Sequence, residues 1–313
     1  MVPIRDEFAI STVEITRRLA ATGRWSSLLI MLTLAACSAP ETPSAGQQGP
    51  AQTAPGGVLD LAAEDVSGVQ DVNDVERLVA EFERVAGERL GVHRVRDTEV
   101  DALVLVVDQR QFEPALAAFD GDRGRGISAV DALREDGARV VVGSSFVSQI
   151  NSLVPVGLLR VSGRDINGIQ AHGYRRVIGT RPDGLSVVGH RAYHANMFDS
   201  ALQAGPGVVE EGLLDITERD LQRTRYLRGF VATCGDHALA GVSLIPVHLF
   251  SLGQALLQFS ETERLGCDEV VNLAGDREAV LGVSNGAEAA FYGNPLTAKV
   301  ALVTFLERTA QDR

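Results

Sequence analysis

Val75, Leu78, Val79, Phe82 and Val85 recur at intervals of three and four, which places them along one face of a helix. Asn73 and Asp74 stand where a cap belongs, so the pattern predicts a helix of about four turns. The continuous apolar run from Ala102 to Val107, bounded by charges, predicts a buried strand. Ser128 to Asp136 predicts a short helix, capped by Ser128 and closed by Gly137, that feeds a strand over Ala138 to Val142. Further strand-like runs occupy Gly157 to Val161, Arg175 to Ile178, Leu185 to Val188, Gly229 to Thr233, Ala238 to Leu244 and Glu269 to Leu273. Leu249 to Leu265 predicts a second strong helix, with Phe250, Ala255, Leu256 and Phe259 close to one face and Gly266 as its stop. Many strands with few helices give an expected α+β fold, with a mixed, largely antiparallel sheet core and a few packing helices in a single domain. No internal repeat is visible.

The pattern changes at the N-terminal end. Arg17, Arg18 and Arg24 precede an apolar run from Trp25 to Ala36 that is too short for a membrane span and has the charge order of a secretory signal. The run ends in Leu34-Ala35-Ala36-Cys37-Ser38, which resembles the lipobox of bacterial lipoproteins, in which the cysteine is acylated and becomes the first residue. The alternative is a buried helix ending on a chance cysteine. Ser38 rather than Asp after the cysteine matches the pattern sent onward to the outer membrane. Asp6, Glu7 and Glu14 suit a signal poorly, which makes Val13 an alternative start. From Ser38 to Gly57 the chain is Pro, Gly, Ala and Gln with almost no apolar bulk, and such a stretch cannot offset its ordering entropy. The expected organisation is therefore a lipoprotein signal over 1–36, a tether over 37–57 and a globular domain over 58–313, anchored to the membrane through lipid on Cys37 and facing the periplasm.

Composition narrows the function. With 45% hydrophobic residues in 313, the chain can bury a sizeable core. Its formal charge is −12, and since the leader through Ala36 carries a net +1 (four Arg against three acids), the remainder carries −13. No Lys/Arg run that would track phosphates follows residue 30, which argues against a nucleic-acid partner. Lys299 is the only lysine, and nothing functional follows from that.

Several short segments carry candidate chemistry. Gly143-Ser144-Ser145-Phe146 follows a strand, then come Val154-Pro155-Val156-Gly157-Leu158-Leu159 and the turn Arg181-Pro182-Asp183-Gly184. Leu202-Gln203-Ala204-Gly205-Pro206, Arg228-Gly229-Phe230 and Leu265-Gly266-Cys267 lead on to Asn272-Leu273-Ala274-Gly275-Asp276. In that order and spacing these pieces resemble the phosphodiester glycosidase family, above all its bacterial exported branch, over roughly Val95 to Glu307. The resemblance implies cleavage of the bond between a sugar's anomeric carbon and a phosphate. That reaction needs little general-acid help, because a phosphate monoester is a good leaving group. It does need an arginine or a backbone nest for the phosphate and a carboxylate near the developing oxocarbenium ion or the attacking water.

By this resemblance Arg228 is the phosphate ligand, although an ordinary surface ion pair would account for it as well. Asn272 and Asp276 complete the implied catalytic set, and Gln203, Gly205, Ser144, Ser145 and Gly275 the implied substrate-binding set, with Gln203 offering a donor and an acceptor to sugar hydroxyls. Two positions depart from the family. Gly143-Ser144-Ser145 stands where the family has Asn-Gly-Gly or Asn-Ala-Gly, and Asn272-Leu273-Ala274-Gly275 where it has Asn-Leu-Asp-Gly. Asp276, two residues beyond Ala274, points to the same side of an extended chain. It either substitutes for the absent acid or stands as a turn aspartate. Two functions follow: an envelope glycosidase acting on sugar-phosphate diesters, or a catalytically reduced lipoprotein that binds such a glycan or a protein.

Other chemistries find little support. His172, His190, His194, His237 and His248 are scattered, and the His190/His194 pair has no third ligand, so no metal site is expected and no cofactor is required. With Cys37 acylated, Cys234 and Cys267 are the two remaining thiols in an exported chain, where oxidation is favoured. If the strands through Gly229 and Asn272 are antiparallel neighbours, the two sulfurs come within reach of a disulfide. Otherwise they are simply buried.

Overall fold

The computed structural model of the chain describes residues 72–118, 126–134, 137–143, 145–149 and 153–309. The signal-like segment, Cys37, the tether and Ser144 lie outside them. The described chain runs through α1 (Val72–Ala86), β1 (Gly91–Arg96), β2 (Asp101–Asp108), β3 (Phe112–Ala118), α2 (Ala129–Arg134) and β4 (Ala138–Val142). It continues through β5 (Leu159–Val161), β6 (Arg164–Asn167), β7 (Arg176–Arg181), β8 (Gly184–Gly189), β9 (Ser200–Ala204), β10 (Gly207–Glu210) and β11 (Leu213–Leu214). Then follow β12 (Gly229–Cys234), β13 (His237–Ser243), α3 (Leu249–Thr262), β14 (Glu269–Leu273), β15 (Leu281–Ser284), β16 (Ala289–Tyr292) and β17 (Ala301–Glu307).

The fold is α+β. Its strands form three antiparallel sheets, in the orders β1-β2-β13-β12-β14-β10-β11, β16-β15-β4-β17-β3 and β6-β5-β9-β7-β8. The first sheet is covered on both faces, which is why its central strands read as continuous apolar runs rather than alternating ones. Along β12 and β14, Val231, Val271 and Leu273 face the main core with α1 residues Val75, Phe82 and Val85 and strand residues such as Leu103, Val140 and Val303. Phe230, Ala232 and Val270 face the other way, against Leu249, Leu252, Ala255 and Leu256 of α3. This alternation fixes which side chains of β12 and β14 can meet at the sheet's end.

Several boundaries differ from the sequence pattern. Helix α1 already begins at Val72, so Asp74 sits in its first turn rather than at its cap, where it pairs with Arg77 at 2.9 Å. Helix α3 stops at Thr262, and the chain turns left-handed at Arg264, φ 57°, before it reaches Gly266, φ 65°. The cap of α2 follows expectation: Ser128 Oγ accepts from the Asp131 amide at 3.0 Å, and the Ser128 amide donates to Asp131 Oδ2 at 3.3 Å. Strands β1, β3, β6, β9, β10, β11, β15, β16 and β17 are additions that the pattern did not reveal. Of these, β3 carries Pro114 and is an edge strand, the place where a missing amide does least harm.

Candidate functional site

Strand β14 and the loop after it assemble one end of the first sheet. Gly229 pairs with Leu273 and Phe230 with Asn272. One further step of that register sets Arg228 opposite Ala274. By alternation Arg228, Asn272 and Ala274 therefore share the face that carries Phe230, the face toward α3. The turn beyond is closed by a reciprocal pair: the Asp276 amide donates to Leu227 O at 3.0 Å, and the Leu227 amide donates to Asp276 Oδ1 at 3.1 Å. Gly275 is required there, because a Cβ on it would lie 2.1 Å from Leu227 O.

Arg228 is half-buried, and its guanidinium lies over the Tyr226 ring, 5.0 Å from the centroid. Among the described residues no carboxylate lies within the 4.0 Å of a salt bridge, so the ion-pair alternative does not hold. Its Nε is buried without a hydrogen-bond partner. Burial pushes the Arg228 pKa down, while the charges of Asp220, Asp276 and Tyr226 act in the opposite direction. Asp220, itself buried, accepts from the Phe250 amide at 3.1 Å and so joins the first turn of α3 to the neighbourhood of Arg228. His248, the residue before α3, is buried as well, and its Nδ1 has no partner. Val247 exchanges two backbone hydrogen bonds with Tyr226, which ties that loop to the same end of the sheet.

Asn272 is 2% exposed. Its Nδ2 donates to Gly205 O at 3.2 Å, and its Oδ1 is buried without a partner. Gly205, which begins the cis Gly205–Pro206 peptide, returns its amide to Asn272 O at 3.0 Å. Three orphaned polar atoms, Arg228 Nε, Asn272 Oδ1 and His248 Nδ1, thus belong to elements that meet at this end of the sheet. Buried polar atoms are normally satisfied, and leaving one unmade costs about 1–3 kcal/mol. A polar ligand would recover part of that cost.

Other residues implied by the family resemblance have different work. Gln203 is fully buried, and its amide is saturated by backbone. Oε1 accepts from Leu158 N at 3.0 Å and Gln170 N at 2.8 Å, while Nε2 donates to Gln170 O and Tyr174 O, both at 2.6 Å. It has no capacity left for a sugar hydroxyl, so the expected substrate-binding role gives way to a structural one. Ser145 is 2% exposed and gives its amide to Ala301 O at 3.1 Å. Asp276 is exposed, in the left-handed region at φ 52°, and holds a turn while its charge reaches Arg228. His190 and His194 do not share a helical face, because the chain after β8 is irregular.

Tyr226, Asp220 and His248 carry weight that the sequence did not assign them. Tyr226 stands two residues before Arg228, the spacing that puts two side chains on one side of an extended chain, and this was the one usable signal. Cys234 and Cys267 end β12 and precede β14, which are antiparallel neighbours. Their sulfurs lie 1.97 Å apart, at bonding distance, with the Cα atoms 3.8 Å apart.

No protein-family model and no curated protein sequence matches the chain. Among solved structures it is similar to the catalytic domain of zebrafish N-acetylglucosamine-1-phosphodiester alpha-N-acetylglucosaminidase, auto-inhibited by its pro-peptide. The TM-score is 0.50 at 13% identity, covering 70% of this chain and 82% of that one. A hypothetical protein from Synechocystis aligns with TM-score 0.45 at 12% identity, over 70% of this chain and 62% of that one. A protein from Burkholderia pseudomallei K96243 aligns with TM-score 0.43 at 12% identity, over 66% of this chain and 74% of that one. At the identity of the zebrafish enzyme the likeness is one of fold: the chain has a phosphodiester glycosidase-like fold.

Proposed function

We propose that this chain is an exported lipoprotein whose domain binds sugar-phosphate diesters of envelope glycans, with Arg228 holding the phosphate. The observation that carries the reading is Arg228 itself: a half-buried guanidinium with an orphaned Nε and, among the described residues, no carboxylate in salt-bridge reach. A cation so placed is short of negative charge, and phosphate oxygens match its fork of donors. Asn272 Oδ1 and His248 Nδ1 would take up hydroxyl hydrogens or a bound water beside it.

Hydrolysis is the second reading, favoured by the position of Asp276. In that reaction the bond from the anomeric carbon to the phosphate oxygen breaks and its electron pair leaves on the phosphate. A water oxygen bonds to the anomeric carbon, and its proton passes to Asp276. Against it, Ala274 puts a methyl group opposite Arg228, and one Asp276 oxygen already accepts from the Leu227 amide. The test is titration of an N-acetylglucosamine-1-phosphodiester into the wild-type chain and Arg228→Ala, with released sugar assayed alongside. Binding weakened about 10-fold or more in the variant supports the proposal. Equal binding by the two refutes it. Sugar release that is abolished in Asp276→Asn adds the second reading.

A further inference from the structure

Away from this site, the open end of the β7–β8 hairpin gathers positive charge. The register closes at Arg176 opposite Gly189, so the next residues out, Arg175 and His190, face each other, and Arg191 follows. His172 and Gly173 come in from the preceding loop. Together with Ala171 and Gly189 they line a pocket of about 320 Å³.

The charges in that pocket are unevenly engaged. Arg176 is held at 2.8 Å by both Glu210 and Asp215 and faces Glu269 at 3.6 Å. Arg175 and Arg191 are exposed, and among the described residues neither has a carboxylate in salt-bridge reach. His190 is fixed on the carbonyl of Arg175, its amide donating at 2.9 Å and its Nδ1 at 3.3 Å. That carbonyl can only accept, so Nδ1 carries the hydrogen; Nε2 is then an acceptor in the neutral ring and donates to an oxyanion in the imidazolium form. Gly173 and Gly189 keep the space open, since a Cβ built on either meets nothing within 4 Å. The concentration of unneutralised arginine is notable in a chain of charge −12.

We propose that this pocket is a second anion site, which takes a phosphate or sulfate group between Arg175 and Arg191 with His190 beneath it. Two guanidiniums present more donors than a carboxylate can use and match the several oxygens of a tetrahedral oxyanion. The volume admits that group alone or on a monosaccharide. The site does not depend on Arg228.

The test uses the Arg228→Ala background, which removes the first candidate site. Inorganic phosphate, inorganic sulfate and glucose 1-phosphate are titrated calorimetrically at low ionic strength, with glucose as the uncharged control. The charged probes are expected to saturate and glucose not to. Arg175→Ala and Arg191→Ala should each weaken binding by about 10-fold. Gly189→Asp should abolish it with the thermal midpoint retained, since that position has room and ordinary backbone geometry, and Gly189→Ala should bind as its parent does. Tighter binding of glucose 1-phosphate than of phosphate assigns the site to a sugar ester, and equal binding to the free oxyanion. No saturable heat from any charged probe up to about 10 mM overturns the proposal, as does binding that survives the Arg175→Ala/Arg191→Ala pair.

Discussion

At the scale of single residues, what matters is which polar atoms are already satisfied. Arg228 belongs to the implied catalytic set and Gln203 to the implied substrate-binding set, and both are at least half-buried, yet their environments are opposite. Arg228 retains an orphaned Nε, whereas all four hydrogen-bonding capacities of Gln203 are engaged by backbone. Gln203→Ala would leave the Leu158 and Gln170 amides and two carbonyls unpaired, so it is expected to destabilise the chain by about 3 kcal/mol or more. A denaturant or thermal melt checks this; a variant that melts like wild type and only loses ligand affinity would return Gln203 to the binding set. Sequence alone places a polar residue two positions before a Gly-Pro step, but it does not say which of its atoms the segment over 158–174 will claim. Arg228 was legible for the opposite reason, since the Arg-Gly-Phe run fixes its position just before β12. That it lacks a carboxylate partner depends on Asp220 and Asp276 stopping short of contact, which only the folded chain reveals.

At the scale of elements, strands buried on both faces were the easiest to read. The limits of β14 match the apolar run from Glu269 to Leu273, and β4 matches Ala138 to Val142. The Gly229 and Ala238 runs mark β12 and β13 within a residue or two. Short strands of the third sheet such as β6, exposed at Arg164 and Asp165, carry too little apolar pattern to stand out. The C-terminal β17 is continuous and apolar, a signature shared with a buried helix segment until its partners β3 and β4 are known. The β12–β14 pairing sets Cys234 beside Cys267 across a separation of 33 residues that includes α3. Removing that bridge in Cys234→Ala/Cys267→Ala is expected to cost about 3–4 kcal/mol in the chain-entropy model. Equal unfolding midpoints for the variant and the unreduced wild type would contradict a stabilising link between these elements.

At the scale of the whole molecule, charge and location make the predictions. Burial raises Glu269 from 4.5 to about 7, against the opposing pull of Arg176. The native state therefore keeps that proton where the unfolded chain has released it. Stability from this residue is fully present below about pH 4.5 and is lost as pH rises through about 7. Glu269→Gln should match wild type in acid and exceed it above neutrality, as read from melting curves across that range; parallel curves would mean Glu269 titrates normally. The proposed anchor is tested by fractionating cells that carry Cys37→Ser, which should move the chain out of the membrane fraction, whereas an unchanged membrane fraction would exclude attachment through that residue. The central claim is that Arg228 binds a phosphoryl group, and a crystal structure of the chain soaked with an N-acetylglucosamine-1-phosphodiester tests it most directly. Phosphate oxygens are expected about 3 Å from the Arg228 guanidinium nitrogens, beside Asn272. Diester density found elsewhere, with the Arg228 guanidinium unoccupied at saturating ligand, would contradict it.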